Sequence, residues 1–379
     1  MKVLVTGGAG FVGSHTVDML LEEGHEVVVL DSLDPQVHGQ SDGYPPNLSR
    51  HAMEDRLRFI RGDVRDRPTL VGALEGAEAV LHLAAAVGIG QSMYQPFHYC
   101  SVNVGGTAQL LDIVGNNRTL VRKVVVASSM SIYGEGAYRC EACGEVYPLT
   151  RDPGDLASAH WEMRCPSCRG FIKPIATREC KTLAPTSIYA ITKKTQEELV
   201  LCFGKAYKLP VVALRYFNIY GPRQSLNNPY TGVVAIFLSR LLNKKPPLVF
   251  EDGMQSRDFI HVRDIARANI LALTSSGADF RAVNIGNGAP VTVLEVLQQL
   301  STILNVSMEP TITRRFRSGD IRHCFSDSSQ ARTLLGWEPE VKLEDGLKGL
   351  VRWCLDSVPE ARDLVEVSYS ELEQRNLLE

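Results

Sequence analysis

Met1-Lys2-Val3-Leu4-Val5-Thr6-Gly7-Gly8-Ala9-Gly10-Phe11-Val12-Gly13 decides how the rest of the chain is read. Val3 to Val5 is an unbroken apolar run, the pattern of a strand buried on both faces of a parallel sheet. Gly7, Gly10 and Gly13 follow at G-x-x-G-x-x-G spacing, one residue longer than the G-x-G-x-x-G dinucleotide fingerprint. A helical periodicity then opens, with Val12, Thr16, Val17, Leu20 and Leu21 on one face and Gly24 at its end. Strand, glycine turn and helix make a phosphate cradle. Glycine lets the backbone turn sharply and approach a pyrophosphate, and the first N–H groups of the helix face the negative charge.

Working outward, Glu26 to Leu30 reads as a second strand ending at Asp31, 18 residues past Gly13. That is close to the roughly 20 expected of an acid that hydrogen-bonds the adenosine ribose. An anion there repels a 2′-phosphate, so NAD is expected rather than NADP. Ser32 to Arg50, rich in Gly, Pro, Asn and Ser, reads as a loop near the adenosine end. Further strands are expected at Leu57–Ile60, Ala79–Leu83, Val124–Ala127 and Val211–Leu214, with helices at about 97–114 and 187–207. This alternation makes an α/β parallel sheet. Ala84, Ala85 and Ala86 end the fourth strand, small enough for a cofactor to lie against the backbone or for helices to pack closely. From about Tyr216 on, helices such as Thr292–Leu304 mix with short strands such as Val283–Ile285, which reads as an appended lobe. The last stretch, 359–379, is acidic and mildly amphipathic.

At 379 residues the chain suits two lobes, and a net charge of -3 gives no electrostatic reason to expect nucleic acid or an acidic membrane. The first residues run straight into a strand and no apolar run reaches spanning length, so a cytoplasmic location is expected. Four of the nine cysteines fall in two C-x-x-C pairs, a pattern that points to metal in a reducing compartment.

Tyr189 and Lys193 form Y-x-x-x-K on an expected helix, one turn apart and on one face. An ammonium beside a phenol, and a nicotinamide cation near both, are expected to lower the tyrosine pKa. Tyr189 then removes a proton from a sugar hydroxyl while hydride leaves the same carbon. Ser129, at the end of the fifth strand, is placed to hydrogen-bond the reacting oxygen.

With these residues in view the chain resembles the extended short-chain dehydrogenase/reductases of the sugar-nucleotide epimerase/dehydratase family, over roughly 1–136 and 180–356. The motifs TGGAGFVGSH, LD, GDV, HLAA, SVNVGGT, ASSMSIYG, YAITK, RYFNIYGPR, DGMQSRDFIHVRD and NIGNG occur in that order. The resemblance implies an α/β fold: a Rossmann-type parallel sheet with helices on both faces, plus a smaller mixed α/β substrate lobe. Residues 1–215 would bind NAD, with an insertion at 136–182. Residues 216–379 would mainly bind substrate, with 258–275 returning to the first domain. It implies that Gly7, Gly10, Phe11, Val12 and Gly13 hold the pyrophosphate and Asp31 the ribose. Asp63 and Val64 would border the adenine, and Leu83, Ala84, Ala85, Asn103 and Phe217 would line the cofactor. Tyr189, Lys193 and Ser129 would be catalytic, with Lys193 also reaching the nicotinamide ribose. Ser129, Ser131, Asn218, Arg257, Arg317 and Asp320 would meet the substrate, a nucleotide-diphosphate sugar. Guanidinium groups suit the diphosphate by bidentate bonding. A homodimer through the helices at 97–114 and 187–207 is implied as well.

Within that family the residues after Ser129 narrow the chemistry. Dehydratases carry an Asp-Glu pair there, decarboxylases keep a glutamate nearby, and 3,5-epimerases place a cysteine where this chain has Ser131. Met130 and Ser131 are neither acid nor base at neutral pH. What is left needs only tyrosine, serine and NAD: oxidation at C4 to a 4-ketosugar, rotation of the sugar, and hydride return to the other face. A nucleotide-sugar 4-epimerase is therefore expected. A net redox enzyme or decarboxylase and a non-catalytic NAD-binding protein are the competing classes.

Cys140, Cys143, Cys165 and Cys168 enclose 21 residues (144–164) and are expected to form a closed, zinc-ribbon-like structural zinc site. Redox thiols and free cysteines are the alternatives. Gly144 and Gly170 would relieve crowding beside sulfur. The 56 residues from Tyr133 to Tyr189 place such a flap beside the active-site mouth. The insertion and the run Arg223–Gly232 resemble dTDP-L-rhamnose 4-epimerases, with UDP-glucose and UDP-glucuronate 4-epimerases as alternatives. Met130 is a candidate to line an apolar pocket for a 6-deoxy methyl group.

Overall fold

Seven apolar runs become the strands of one parallel sheet: β1 (Lys2–Thr6), β2 (Glu26–Asp31), β3 (Leu57–Arg61), β4 (Ala79–His82), β5 (Lys123–Ser129), β6 (Val211–Tyr216) and β7 (Arg281–Ile285). Their order is β7-β6-β5-β4-β1-β2-β3. The computed structural model describes residues 1–39, 43–228, 230–317, 319–358 and 363–378. Pro229 of the Arg223–Gly232 run, Ser318 of the RSGD run, and 359–362 and 379 of the carboxyl-terminal stretch lie outside the described residues.

Because side chains alternate across a strand, each strand feeds two cores. Val3, Val5, Val29, Leu81, Val125, Leu214 and Val283 face one side, where Val17 and Leu20 of helix α1 (Phe11–Glu22) meet them. Leu4, Val28, Val80, Val124, Val126 and Val211 face the other, against Leu110 and Val200. Those two residues belong to α2 (Gly106–Asn116) and α3 (Ile188–Tyr207). Burial of each such side chain stabilises the fold by about 1.5–3 kcal/mol. Order reverses between β1 and β4, so their carboxyl ends open the crevice where sheets of this kind bind ligands.

Val283–Ile285, read from sequence as a short strand of the second lobe, belongs to the main sheet. Arg281 to Ile285 pairs in parallel with Val212 to Tyr216. Periodicity identifies a strand but not the sheet that receives it. A helix at Val262–Thr274 also returns to the sheet and packs on α1. The expected single helix at 97–114 is three pieces: an α-turn Pro96–Tyr99, a π-helical segment Cys100–Gly105, then α2.

The second lobe has its own core of Phe237, Leu238, Leu297, Leu300, Leu347 and Leu350. The insertion is a three-stranded antiparallel sheet, Ala137–Cys140 between Gly144–Val146 and Ile172–Ile175. Its core is Tyr138, Cys140, Val146, Met163, Cys165 and Ile172. A helix at Val365–Glu373 then returns towards the site. Glu371 accepts hydrogen bonds from the hydroxyls of Tyr94 (2.6 Å) and Tyr230, and Leu378 makes a backbone bridge with Arg317.

Candidate active site

The glycine turn is built to be approached closely. Gly7 lies at φ +71°, and a Cβ on it would stand 2.8 Å from the Ala84 amide nitrogen; one on Gly13 would stand 2.1 Å from the Gly7 carbonyl oxygen. Gly10 is the N-cap of α1 and no side chain caps that helix, so its first amides, Phe11 to Gly13, are left for an external anion. Asp31 is buried at the end of β2, where its carboxylate accepts from the Ala9 and Leu33 amides, both at 3.0 Å. It thereby fixes the loop as well as facing the crevice. These residues fit a dinucleotide: a cradle that any side chain would fill, uncapped amides, and an acid at the second strand.

Asp63 follows β3 and accepts from the Arg65 amide at 2.8 Å and from its guanidinium at 2.7 Å. The Arg65 hydrogen bond holds its carboxyl below the usual range. Val64 is buried against Gly106. Asn103 is fully buried in the π-helical segment. Its Oδ1 accepts from the Ala86 amide (2.8 Å), and its Nδ2 donates to the Ala86 carbonyl (3.1 Å) and to Thr192 Oγ1 (2.9 Å). One side chain thus ties the Leu83–Ala84–Ala85–Ala86 strand end to the helix that carries Tyr189.

Ser187 caps that helix, its Oγ accepting from the Ala190 amide at 3.1 Å. The Ser129 side chain lies near enough to the Tyr189 hydroxyl to pull its pKa down. Ser131 donates to Ser129 Oγ at 2.9 Å through its hydroxyl and at 3.2 Å through its amide. Ser129 lies opposite Tyr216 in the β5–β6 register, which brings Phe217 and Asn218 to the same edge. Phe217 is buried beside Tyr133, and Asn218 Oδ1 is buried with no partner among the described residues.

The expected pKa direction for Tyr189 is corrected. Burial pushes it up to about 12, against a pull down from the Ser129 side chain. Lys193, expected to favour the phenolate by its charge, is itself pushed down to about 7 by burial, and its Nζ donates to the Ala127 carbonyl at 3.0 Å. Loss of water outweighs the pairing in the chain alone. Met130 is also corrected: it is buried in the core between sheet and helices and is not free to line an open pocket.

At the second lobe Arg257 and Arg317 share Asp320, at 3.3 and 3.0 Å. Arg257 also donates to the carbonyls of Ser256, Ile321 and Arg322. Burial would raise Asp320, but Arg317, Arg257 and Arg151 outweigh it and hold its carboxyl low. In the insertion the four Sγ atoms lie within 4.8 Å of one another, with Cys140 and Cys168 at 3.6 Å. Gly170 does relieve crowding, since a Cβ there would stand 3.3 Å from Cys168 Sγ; Gly144 has open space and is needed instead for its φ of +78°.

Several residues of the site carry no sequence signal. Arg215 is buried, pairs bidentately with Glu197 (2.6 and 3.0 Å) and donates to the Tyr133 hydroxyl (2.7 Å), locking α3 to the sheet behind Tyr189. Glu135 is buried and accepts from the Arg322 and His323 amides; burial lifts it to about 7. Arg151 reaches the second lobe from the insertion, pairing with Glu251 at 2.6 Å. Arg215 is the exception among these: it opens the RYFNIYGPR motif, although nothing in that motif's spacing assigns it a role.

The model of the NAD dependent epimerase/dehydratase family matches residues 3–151 and 169–286. The chain belongs to this family. Its relatives agree over nearly the whole length. A dTDP-L-rhamnose 4-epimerase of Burkholderia thailandensis is 33% identical over 354 residues, 93% of this chain and 94% of that protein. Among solved structures, a UDP-glucose 4-epimerase of Thermotoga maritima with UDP-glucose is 32% identical, with a TM-score of 0.76 over 94% of this chain and 100% of that one. A UDP-glucuronic acid 4-epimerase of Bacillus cereus, in complex with UDP-glucuronic acid and NAD, is 28% identical with a TM-score of 0.75, over 94% and 99% of the two chains. The enzyme is thus an NAD-dependent epimerase, an isomerase with a Rossmann-type α/β fold. No described helix is long and apolar enough to cross a membrane.

Proposed function

We propose that this enzyme is a nucleotide-sugar 4-epimerase with dTDP-L-rhamnose as its substrate. The observation that carries the 4-epimerase reading is the neighbourhood of Ser129. Its side-chain partner is the Ser131 hydroxyl at 2.9 Å, and the Tyr189 hydroxyl is close enough for Ser129 to lower its pKa. Among the described residues the carboxylates of neighbouring segments have other partners: Glu197 takes the Ser128 hydroxyl and the Arg215 guanidinium, and Glu135 the Arg322 and His323 amides. A site without a free acid next to the serine can move one hydroxyl proton but is not equipped to expel water.

In this reading Gly7, Gly10, Phe11, Val12, Gly13, Asp31, Asp63, Val64, Leu83, Ala84, Ala85, Asn103, Lys193 and Phe217 hold NAD, which supplies the acceptor and donor of the C4 hydride. Tyr189 takes the proton from the C4 hydroxyl and returns it, and Ser129 fixes that oxygen. Burial opposes the phenolate, so Tyr189 needs a neighbouring positive charge to act as a base at neutral pH. Asn218, Arg257 and Arg317 hold the diphosphate and Asp320 the nucleoside ribose; the shared Arg257–Asp320–Arg317 cluster supports this.

We also assign a structural zinc to Cys140, Cys143, Cys165 and Cys168. Tetrahedral zinc with bonds of about 2.3 Å puts its sulfurs roughly 3.8 Å apart, in keeping with the clustered thiols. The choice of dTDP-L-rhamnose rests on the Burkholderia relative and on the insertion. The Thermotoga protein is almost as similar, so the assay carries dTDP-L-rhamnose, UDP-glucose and UDP-glucuronate side by side. Products are separated and weighed: conversion of dTDP-L-rhamnose to an isomer of equal mass without accumulation of NADH is expected. Faster conversion of either UDP-sugar overturns the substrate, and a product of changed mass overturns the reaction.

A further inference from the structure

We propose that Arg151, delivered by the cysteine-held insertion, is a third guanidinium for the substrate diphosphate, beside Arg257 and Arg317. This rests on the nucleotide-sugar reading above and extends it to a residue from the segment that the family model leaves at its margin.

Arg151 is placed with care. Its side chain is only 4% exposed. One terminal nitrogen, NH2, is engaged twice, with Glu251 Oε1 at 2.6 Å and with the Asp320 carbonyl at 3.1 Å. The other, NH1, is buried and has no hydrogen-bond partner among the described residues. A buried unpaired guanidinium N–H is costly and calls for an acceptor. Arg151 lines a cavity with Thr186, Arg317, Gly319 and Asp320, so the space that supplies the acceptor is the space the diphosphate arginine borders.

The carboxylates beside it are shared with other guanidinium groups. Glu251 does not neutralise Arg151 alone, because it also receives Arg322 NH1 at 2.9 Å. Arg322 in turn holds Asp252 at 2.7 Å and Glu162 at 2.6 Å. Asp320 is shared among Arg257 and Arg317 and feels Arg151 as well. Glu251 and Asp320, the two carboxylates nearest Arg151, are thus divided between cations, and the unpartnered N–H is the one for a ligand. A diphosphate offers several non-bridging oxygens, and arginine is suited to them.

The insertion is braced for the task. Glu162 accepts from Arg322 and faces His323 Nε2 at 3.1 Å, fastening the segment between the two cysteine pairs to the second lobe. Asp152 caps the short helix Pro153–Ala157, which fixes the backbone immediately after Arg151.

The test is binding of dTDP and UDP, and separately of thymidine and uridine, to the full-length wild type and to Arg151→Ala, Arg151→Gln and Arg151→Lys, by calorimetry or ligand-observed NMR. The expected result is loss of about tenfold or more in affinity for the nucleoside diphosphates in the Ala and Gln variants. Nucleoside binding should be unchanged, and the Lys variant should recover part of the loss. Unchanged dTDP and UDP affinity overturns the proposal. So does an equal loss for the free nucleosides, which would make Arg151 a prop for the ribose end. A wild type that binds neither dTDP nor UDP sinks the nucleotide-sugar reading itself, and this inference falls with it.

Discussion

Tyr189 meets Ser129 in a buried place where the phenol resists ionisation. Tyr189→Phe removes the hydroxyl proposed to shuttle the C4 proton while keeping the ring beside Tyr99. Turnover should fall by about 10²-fold or more, with NAD still bound; the check is steady-state kinetics beside a fluorescence titration with NADH. Glu135 makes a prediction about pH. Its folded pKa is raised to about 7 from 4.5 by burial, so the folded state holds a proton that the unfolded state lacks between those values. Its contribution to stability is fully present below about pH 4.5 and is lost as pH rises through 7. Glu135→Gln keeps an acceptor for the amides without the charge, so its melting temperature relative to wild type should climb from pH 5 to pH 8. A constant difference across that range would exclude a buried, proton-holding carboxyl. Residues were unevenly legible in the sequence. Gly7, Asp31, Ser129 and Tyr189 stand at spacings that chemistry dictates. Arg151 and Glu135 are single charges in aperiodic stretches, and only the packing of distant segments shows their neighbours.

At the scale of elements, the strands of the sheet could be read because burial on both faces leaves contiguous apolar runs such as Val27–Leu30 and Val124–Val126. β7 was recognisable as a strand, yet the intervening second lobe hid its place beside β6. The three insertion strands are short, contain Arg139, Glu145 and Lys173, and carry no period that could announce them. The helix around Asn103 was legible, but its π-helical turn was not, since that geometry is set by the contact with Ala86. A six-residue core holds the insertion, too small to order it alone. Cys143→Ser together with Cys165→Ser should therefore strip the metal and loosen the segment that carries Arg151. The expected outcome is loss of zinc by elemental analysis and a KM for the nucleotide sugar raised about tenfold, with kcat less affected. Retention of both metal content and KM would refute the assignment.

For the whole molecule, the helices named for self-association pack side by side along one flank. Phe97 is 85% exposed and Ile191 47% exposed on that flank. Exposed apolar side chains on neighbouring helices fit a buried contact between copies of the chain. Phe97→Asp is expected to shift a dimer towards monomer in light scattering, while circular dichroism stays unchanged. A wild type that is monomeric at working concentration would remove that expectation.

The returning carboxyl-terminal helix has a practical corollary. Leu378 is bridged to Arg317, and Glu371 holds Tyr94 and Tyr230. A purification handle fused to the carboxyl end would begin next to the backbone that pairs with Arg317. Lys2, by contrast, starts β1 at the opposite edge of the sheet. Recombinant enzyme tagged at its amino end should turn over faster than the same enzyme tagged at its carboxyl end, and proteolytic removal of the latter tag should erase the difference.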